Sequence, residues 1–395
     1  MTKFLLKKFI KNDGDAAAPE VREAYGKLAG VTGLITNIIL ALMKGLIGFF
    51  SGSIAVIADA FNNLSDAVSS LITLVGFKMA AKEKDADHPY GHARIEYMTG
   101  IVIAALIILL GFKLFSSSYE KAIHPEPIAF SVLTAVFLLV AIGAKIWQTV
   151  FNFSLAKRIH SGALRAIGVD SRNDVITTSV VLASLVFGYF TGINIDGYTG
   201  VVVALFIMYS GVMLIRETSR PLLGQAPDPD LVNRIATLIR EKDGVMGMHD
   251  LVVHDYGPGR LFASVHIEVD AAEDVLKSHE VIDDIEREAM RKLKIELVGH
   301  MDPIDTKDPL VYELREKITR LLIDTENVVG MHDLRIVRGE HRINVIFDVV
   351  LALKGAENKT EREEKLLNFL EENIKALDPK YEIAVTFDTD YTATL

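Results

Sequence analysis

The chain has 395 residues, 50% of them hydrophobic, a mean hydropathy of +0.29, a formal net charge of -10 and no cysteine. The lack of cysteine excludes disulfides, thiolate zinc sites, iron–sulfur clusters and a cysteine nucleophile. The acidic balance supplies no basic footprint for nucleic acid. The charge is unevenly divided: up to Arg220 there are 20 Lys/Arg against 16 Asp/Glu, and beyond it 22 against 36. An apolar, slightly basic part therefore precedes an acidic, water-compatible one, the pattern of a membrane domain followed by soluble domains.

Residues 1–28 read as a cytoplasmic N-terminal segment. Lys7, Lys8 and Lys11 interrupt its short apolar patches and a polar stretch from Asn12 to Glu23 follows. That composition suits a short amphipathic helix and not a secretory signal. Residues 29–220 then carry six apolar stretches, each near the roughly 20 residues that a helix needs to cross a bilayer. They fall near Gly30–Phe50, Ile54–Met79, Tyr97–Phe115, Ile128–Phe151, Ala166–Phe190 and Gly197–Ile215. Lys and Arg collect before the first span, between the second and third, between the fourth and fifth, and after the sixth. Both termini are accordingly expected on the cytoplasmic side of a multi-pass cell-membrane protein.

Ionisable side chains inside hydrocarbon are costly and mark function by default. The second span contains ADAFNNLSD, with Asp59, Asn62, Asn63 and Asp66, and the fifth contains GVDSRND, with Asp170 and Asp174. Asn62 and Asp66 are four residues apart, as are Asp170 and Asp174, so each pair projects from one helix face. If those faces meet, three carboxylates and one amide converge, and a small hard divalent cation would relieve their mutual repulsion. The alternative places these residues at span ends, with Asp170 as the N-cap of a shorter fifth helix. Asp59 ranks below the four, as a neighbour one to two turns away, and Asn63 is expected to make a helix–helix hydrogen bond. Lys44, Lys113 and Lys145 are expected to snorkel to an interface.

After Pro221 strands and helices alternate. A helix over Pro229–Lys242, strands Leu251–Tyr256 and Leu261–Val269, a helix over Glu280–Leu293 and a strand at Ile295–Gly299 give an αββαβ order over residues 221–305. The motif GMHDL, at Gly247–Leu251, recurs at Gly330–Leu334. Around the second copy the order repeats: helix Pro309–Ile323, strands Leu334–Val337 and Arg342–Val350, helix Arg362–Ala376 and strand Ile383–Phe387. Residues 306–395 are thus a second copy of the domain. His332 is kept there. No HExxH and no Walker A loop is present, which argues against an enzyme.

The two tetrads, the loop DADHPYGHARIE and the series GMHDL, HIEVD, SHEVID, VGHMDP resemble the cation diffusion facilitator family of divalent-metal/proton antiporters. The likeness runs from about Thr32 to Pro303. It implies an α-helical membrane protein of six transmembrane helices, carrying two tandem cytoplasmic α+β ferredoxin-like domains where the family has one. It also implies a homodimer in the lipid bilayer and alternating access coupled to protons. By the resemblance the transport site is Asn62, Asp66, Asp170 and Asp174. A loop site would be Asp85, His88 and His92, whose two imidazoles suit zinc, the alternative being a solvated loop. A cytoplasmic cluster would be His249, His266, His279, His300 and Asp302, bridging dimer partners, the alternative being surface histidines. In the second copy the places of His266, His300 and Asp302 fall on Asp348, Phe387 and Thr389, so the resemblance implies that this copy lacks a full metal site. Zinc-transporting members have Asp or His at the Asn62 position and His at the Asp170 position. The all-oxygen set here suits Mn²⁺, as in the manganese-exporting branch. The remaining readings are export of Zn²⁺, Fe²⁺ or Co²⁺, a passive divalent channel, or a membrane metal sensor, with Zn²⁺ or another divalent ion at the cytoplasmic sites.

Overall fold

The computed structural model describes residues 10, 16, 18–51, 54–124, 132–323, 325–352 and 359–391. Side chains within helices at 47, 48, 50–62, 133, 134, 196 and 359 are outside the described set, and with them Asp59 and Asn62. Most of the N-terminal segment 1–28 is outside it as well. The chain divides into two compact units, residues 1–225 with the turn 255–260, and residues 226–254 with 261–395.

Among the described residues the first unit contains six helices: α1 Pro19–Ser51, α2 Ile54–Ala80, α3 Ile95–Ile123, α4 Val132–Ile159, α5 Gly162–Thr191 and α6 Asp196–Ser219. α1 packs along α2, α3 along α6, and α4 along α5. Among the described residues five of these, all but α2, are long and apolar enough to cross a membrane. What sets α2 apart is a polar stripe, since Asn63, Asp66, Ser69, Ser70 and Thr73 are all buried along it. Around Tyr25, Phe77, Ile103, Ile107, Phe151, Leu155 and Leu164 the helices form one apolar core. Large apolar residues such as Leu42, Leu109, Phe112, Phe190 and Val202 point outward instead. In water this would be a patch far too large for a monomer, whereas hydrocarbon solvates it without cost.

Close helix approach has a visible cause at Gly26 of α1. A Cβ built there would lie 2.1 Å from Cγ of Phe77, so only hydrogen fits. α5 begins four residues before the apolar stretch read from sequence. Ser161 caps it, its hydroxyl accepting from the Leu164 N–H, and Gly192 ends it in the left-handed region with φ 73°. Asp170 therefore sits two turns inside the helix, and the N-cap alternative does not hold.

Near the start of α1, Arg22 is tied to three elements. Its Nε and Nη2 donate to Glu96 of α3 at 2.9 and 2.6 Å, and its Nη1 donates to the carbonyls of Ala16 and Ile159. Both partners of this ion pair are over nine-tenths buried. Removing one strands the other's charge, so Arg22→Ala or Glu96→Gln is expected to cost about 3–5 kcal/mol. The double variant should lose less than the sum of the singles. Melting curves of purified protein in detergent micelles check this.

The second unit holds two αββαβ repeats, each a three-stranded sheet. The first consists of α7 Pro229–Arg240, β1 Val245–Asp255, β2 Leu261–Asp270, α8 Val275–Leu293 and β3 Ile295–Ile304. The second consists of α9 Pro309–Ile323, β4 Val328–Arg338, β5 Ile343–Leu351, α10 Lys359–Leu377 and β6 Tyr381–Thr389. Sheet orders are β1-β2-β3 and β4-β5-β6, with β2/β3 and β5/β6 parallel. Alternation directs Ala263, Val265, Ile267 and Val269 of β2 into one core, and Val345, Phe347, Val349 and Leu351 of β5 into another. The residues between them, His266 and Glu268 in β2 and Asp348 in β5, are thereby placed on the opposite face of each sheet.

Strands β1 and β4 start well before the sequence expectation and run through the GMHDL motif. The reason is a bulge. Asp250 and Asp333, the aspartates of the two copies, have φ values of 50° and 56°, and the β4–β5 register shifts between His332 and Arg335. A left-handed aspartate inside a strand reads locally as a turn. β3 likewise extends past Gly299 to Ile304 and so carries His300 and Asp302 within the ladder.

Candidate metal centres

In the membrane unit, Asp66 projects from α2, Asp170 and Asp174 from α5, and Lys145 from α4. The Lys145 ammonium donates to Oδ2 of Asp66 at 2.7 Å and to Oδ2 of Asp174 at 2.6 Å. Lys145 is 4% exposed and Asp66 2%. This corrects the snorkelling expectation for Lys145: its charge faces inward because two carboxylates there offer more than the interface does. α2 and α5 thus turn their carboxylates toward a single cationic centre. Asp170, also buried, lies within electrostatic reach of both Asp66 and Asp174. Together with Asn173, Thr177, Thr178 and Gly111, Asp170 and Asp174 line a cavity of about 260 Å³. Asn63 departs from its expected role: its amide donates to Asp66 Oδ2 at 3.3 Å on its own helix, not across helices. Asn62 and Asp59 lie outside the described side chains.

The loop residues Asp85, His88 and His92 come together, with ligand atoms within 4.8 Å of one another. His88 Nδ1 is 3.1 Å and His92 Nε2 3.6 Å from the Asp85 carboxylate. His92 Nδ1 is 3.1 Å from the carbonyl of Glu83. A carbonyl only accepts, so Nδ1 carries a proton and Nε2 is the nitrogen turned toward Asp85. Lys82, 2.6 Å away, holds the Asp85 carboxyl well below the usual carboxylate range. Asp85 is therefore ionised and already paired with an exposed lysine.

In the soluble unit the strands set the geometry. The β2/β3 register places His266 opposite His300 and Glu268 opposite Asp302. Asp302 is the hub, with Oδ2 at 2.9 Å from His266 Nδ1 and 3.0 Å from His249 Nε2, and Oδ1 at 3.2 Å from His300 Nε2. Glu268, not singled out in the sequence, stands 3.5 Å from His249 Nδ1; its signal was the alternation in HIEVD. His279 is not brought into this group. It is exposed on α8, with only Asp283 of the same helix 3.9 Å away.

The second repeat differs from expectation by one residue. In β5/β6, Asp348 pairs with Thr386 and Val350 with Asp388. Against the first repeat, where His266 pairs with His300 and Glu268 with Asp302, the counterparts of His300 and Asp302 are Thr386 and Asp388, not Phe387 and Thr389. A single-residue slip turns a strand residue to the other face, which is why Asp388 escaped notice. His332, Asp348 and Asp388 converge with ligand atoms within 4.8 Å. Burial opposes charging of His332, but Asp250, Asp348 and Asp388 outweigh it and raise its pKa above the ordinary histidine value. Burial, and then the charges of Asp250 and Asp348, push Asp388 up.

Residues 31–223 match the cation efflux transmembrane domain and residues 227–304 the cytoplasmic domain of cation efflux proteins. An uncharacterized transporter of Methanocaldococcus jannaschii is 29% identical over 254 residues, 64% of this chain and 88% of the relative. The manganese efflux system protein MneS of Bacillus subtilis is 26% identical over 285 residues, 71% of this chain and 97% of its own. The cation-efflux pump FieF of Klebsiella pneumoniae is 23% identical over 287 residues, 72% and 95% of the two chains. The chain belongs to the cation efflux family, whose members are transporters and not enzymes. It is accordingly a multi-pass membrane protein that pairs a helical membrane domain with a C-terminal α+β domain. The second repeat lies beyond the residues that the two family domains match.

With Lys145 as the resident cation, a metal entering between Asp66 and Asp174 has an ammonium to displace. Lys145→Met is expected to lower the melting temperature of the metal-free protein, because two buried carboxylates lose their counter-charge. It should also enlarge the rise in melting temperature on adding Mn²⁺ relative to the unsubstituted protein, since the ion then replaces a missing charge and not a present one. Thermal shift in detergent, with and without Mn²⁺, reads both effects.

Proposed function

We propose that this chain exports Mn²⁺ from the cytoplasm by alternating access, in exchange for protons. The observation that carries the proposal is the pair of carboxylates, Asp66 from α2 and Asp174 from α5, both turned to one cationic centre at 2.7 and 2.6 Å. Asn62, on the same helix as Asp66, and Asp170, one turn before Asp174, complete an all-oxygen set. Such a set favours a hard divalent ion over the nitrogen-seeking zinc. The likeness to the manganese efflux protein of Bacillus subtilis supports the choice of metal.

In the cycle, a cytosolic ion takes its place among the three carboxylates and expels protons together with the Lys145 ammonium. After the site opens outward, returning protons and the returning ammonium release the ion. The whole unit would sit in the cell membrane with six spans, α2 included, and both termini in the cytoplasm. The protein would act as a homodimer. Asp85, His88 and His92 form a candidate zinc-type loop site, and His249, His266, His300 and Asp302 a candidate cytoplasmic site, each with nitrogen donors that the transport site lacks.

Reconstitution tests the reading. Proteoliposomes are expected to take up Mn²⁺ at a rate that follows an imposed pH gradient, and Asp66→Asn or Asp174→Asn should reduce that rate about tenfold or more. Uptake indifferent to the gradient would indicate a passive channel; unchanged flux in either variant would remove these residues from the site.

Metal choice has its own test. Asp170→His introduces one imidazole into the oxygen set, so Zn²⁺ flux should rise relative to Mn²⁺ in a competition assay. An unaltered Zn²⁺/Mn²⁺ ratio would place Asp170 outside the coordination sphere.

A further inference from the structure

The second repeat carries the same constellation as the first in a more acidic form, and it borrows from the first. His332 sits in β4 directly opposite Asp348 of β5, and Asp388 arrives from β6. From the first repeat the left-handed backbone of Asp250 turns its carboxylate toward the same imidazole: His332 Nε2 is 3.4 Å from Asp250 Oδ1 and 3.5 Å from Asp388 Oδ2. The His332 ring stacks on His249 at a centroid distance of 3.9 Å and an interplanar angle of 17°. Both motif histidines, the ends of the two candidate groups, are therefore side by side where the repeats meet.

Two features separate this from an ordinary buried network. His332 is 4% exposed and His249 8%, and among the described residues none of their ring nitrogens makes a well-aligned hydrogen bond, although His249 Nε2 lies 3.0 Å from Asp302 and His332 Nε2 3.4 Å from Asp250. Buried polar atoms are rarely left so. The spacings around His332 Nε2, 3.4 and 3.5 Å, also match those between ligands of one ion. Donor atoms bound at about 2.0–2.2 Å to one ion, and seen at right-angle to tetrahedral separations, lie about 3.0–3.5 Å apart. The surrounding cavity, about 510 Å³, is lined by residues of both repeats, among them His249, Asp250, Asp302, His332 and Asp348.

We propose that His332, Asp348 and Asp388, with Asp250 reaching over from the first repeat, bind a second divalent cation that staples the two repeats of one chain together. One imidazole and three carboxylates suit a first-row divalent ion of the Mn²⁺ or Zn²⁺ type. The two repeats then share a two-ion centre within a single chain, and the extra domain supplies ligands and not merely bulk. Occupancy would respond to cytosolic metal without any part in translocation.

The test counts ions on the full chain in detergent by equilibrium dialysis against Mn²⁺ and against Zn²⁺, with elemental analysis of bound metal. Asp348→Asn/Asp388→Asn should lower the bound count by about one ion per chain. His266→Ala/Asp302→Asn should remove a different one, and the combination should remove both. Bound Mn²⁺ in the unsubstituted protein should also show the spin–spin broadening of two neighbouring ions, absent from either double variant. An unchanged count and spectrum in Asp348→Asn/Asp388→Asn would overturn the proposal. Should that variant lose its metal-free melting transition, Asp388→Asn and Asp250→Asn alone, nearly isosteric with the residues they replace, decide the same question by their affinity. Flux plays no part in these readings, so failure of the transport proposal would leave them intact.

Discussion

A lysine shared by two buried carboxylates is the constraint on which the membrane unit depends. Charges of either sign are expensive among apolar helices, and each is tolerated only because the others are present. Lys145 of α4 closes the gap between Asp66 of α2 and Asp174 of α5, so three helices must keep their mutual register for any one charge to be balanced. Polar residues on α2 extend the same logic. Ser70 and Thr73 donate to the carbonyls of Asp66 and Ser69 on their own helix, which satisfies their hydroxyls without drawing on the carboxylates. A tethered cation between the pair also keeps both carboxylates aimed inward at one ammonium.

Much of this was legible in the residues. The four-residue spacing of Asp170 and Asp174, and the place of Asp66 in an apolar run, sufficed to point both helices inward, because helical period and hydrocarbon cost are local rules. Lys145 was not legible for the opposite reason. A lone lysine in a span snorkels unless something inside pays for its desolvation, and the two payers lie 79 and 29 residues away in sequence. The start of α5 lies outside the apolar stretch because apolarity marks only the part of a helix inside hydrocarbon, while the helix begins four residues earlier at Gly162, capped by Ser161.

In the soluble unit the order of elements was legible and the register was not. Helix α9 fell where its apolar period put it, since Val311, Leu314, Ile318 and Leu322 make one buried face. Strand β6 is evident from its apolar alternation, but its register against β3 is not, and a shift of one place gives Phe387 the role of Thr386. Phe387 in fact packs against the core while Thr386 and Asp388 take the other face. A period of two offers no tolerance for such a slip. His279 shows the converse. Its motif SHEVID is conspicuous in sequence, yet α8 leaves it in solvent beside Asp283, because a histidine on a helix surface joins a sheet-based cluster only if the helix faces that way.

The two repeats share a motif and a topology but not a ligand set. The His–Asp bulge is retained in both, with left-handed aspartates at 250 and 333, so each sheet delivers a buried imidazole at the same point of its ladder. What differs is the company. The first repeat surrounds His249 with two further histidines and one aspartate; the second surrounds His332 with Asp348 and Asp388 and takes Asp250 from its neighbour. Replacing His266 by Asp348 and His300 by Thr386 exchanges nitrogen for oxygen donors, which moves the second group toward harder ions. Asp333, the counterpart of Asp250, does not reciprocate and instead lies 3.5 Å from Arg335. The exchange is one-sided: Asp250 faces His332 of the other repeat, while Asp333 faces Arg335.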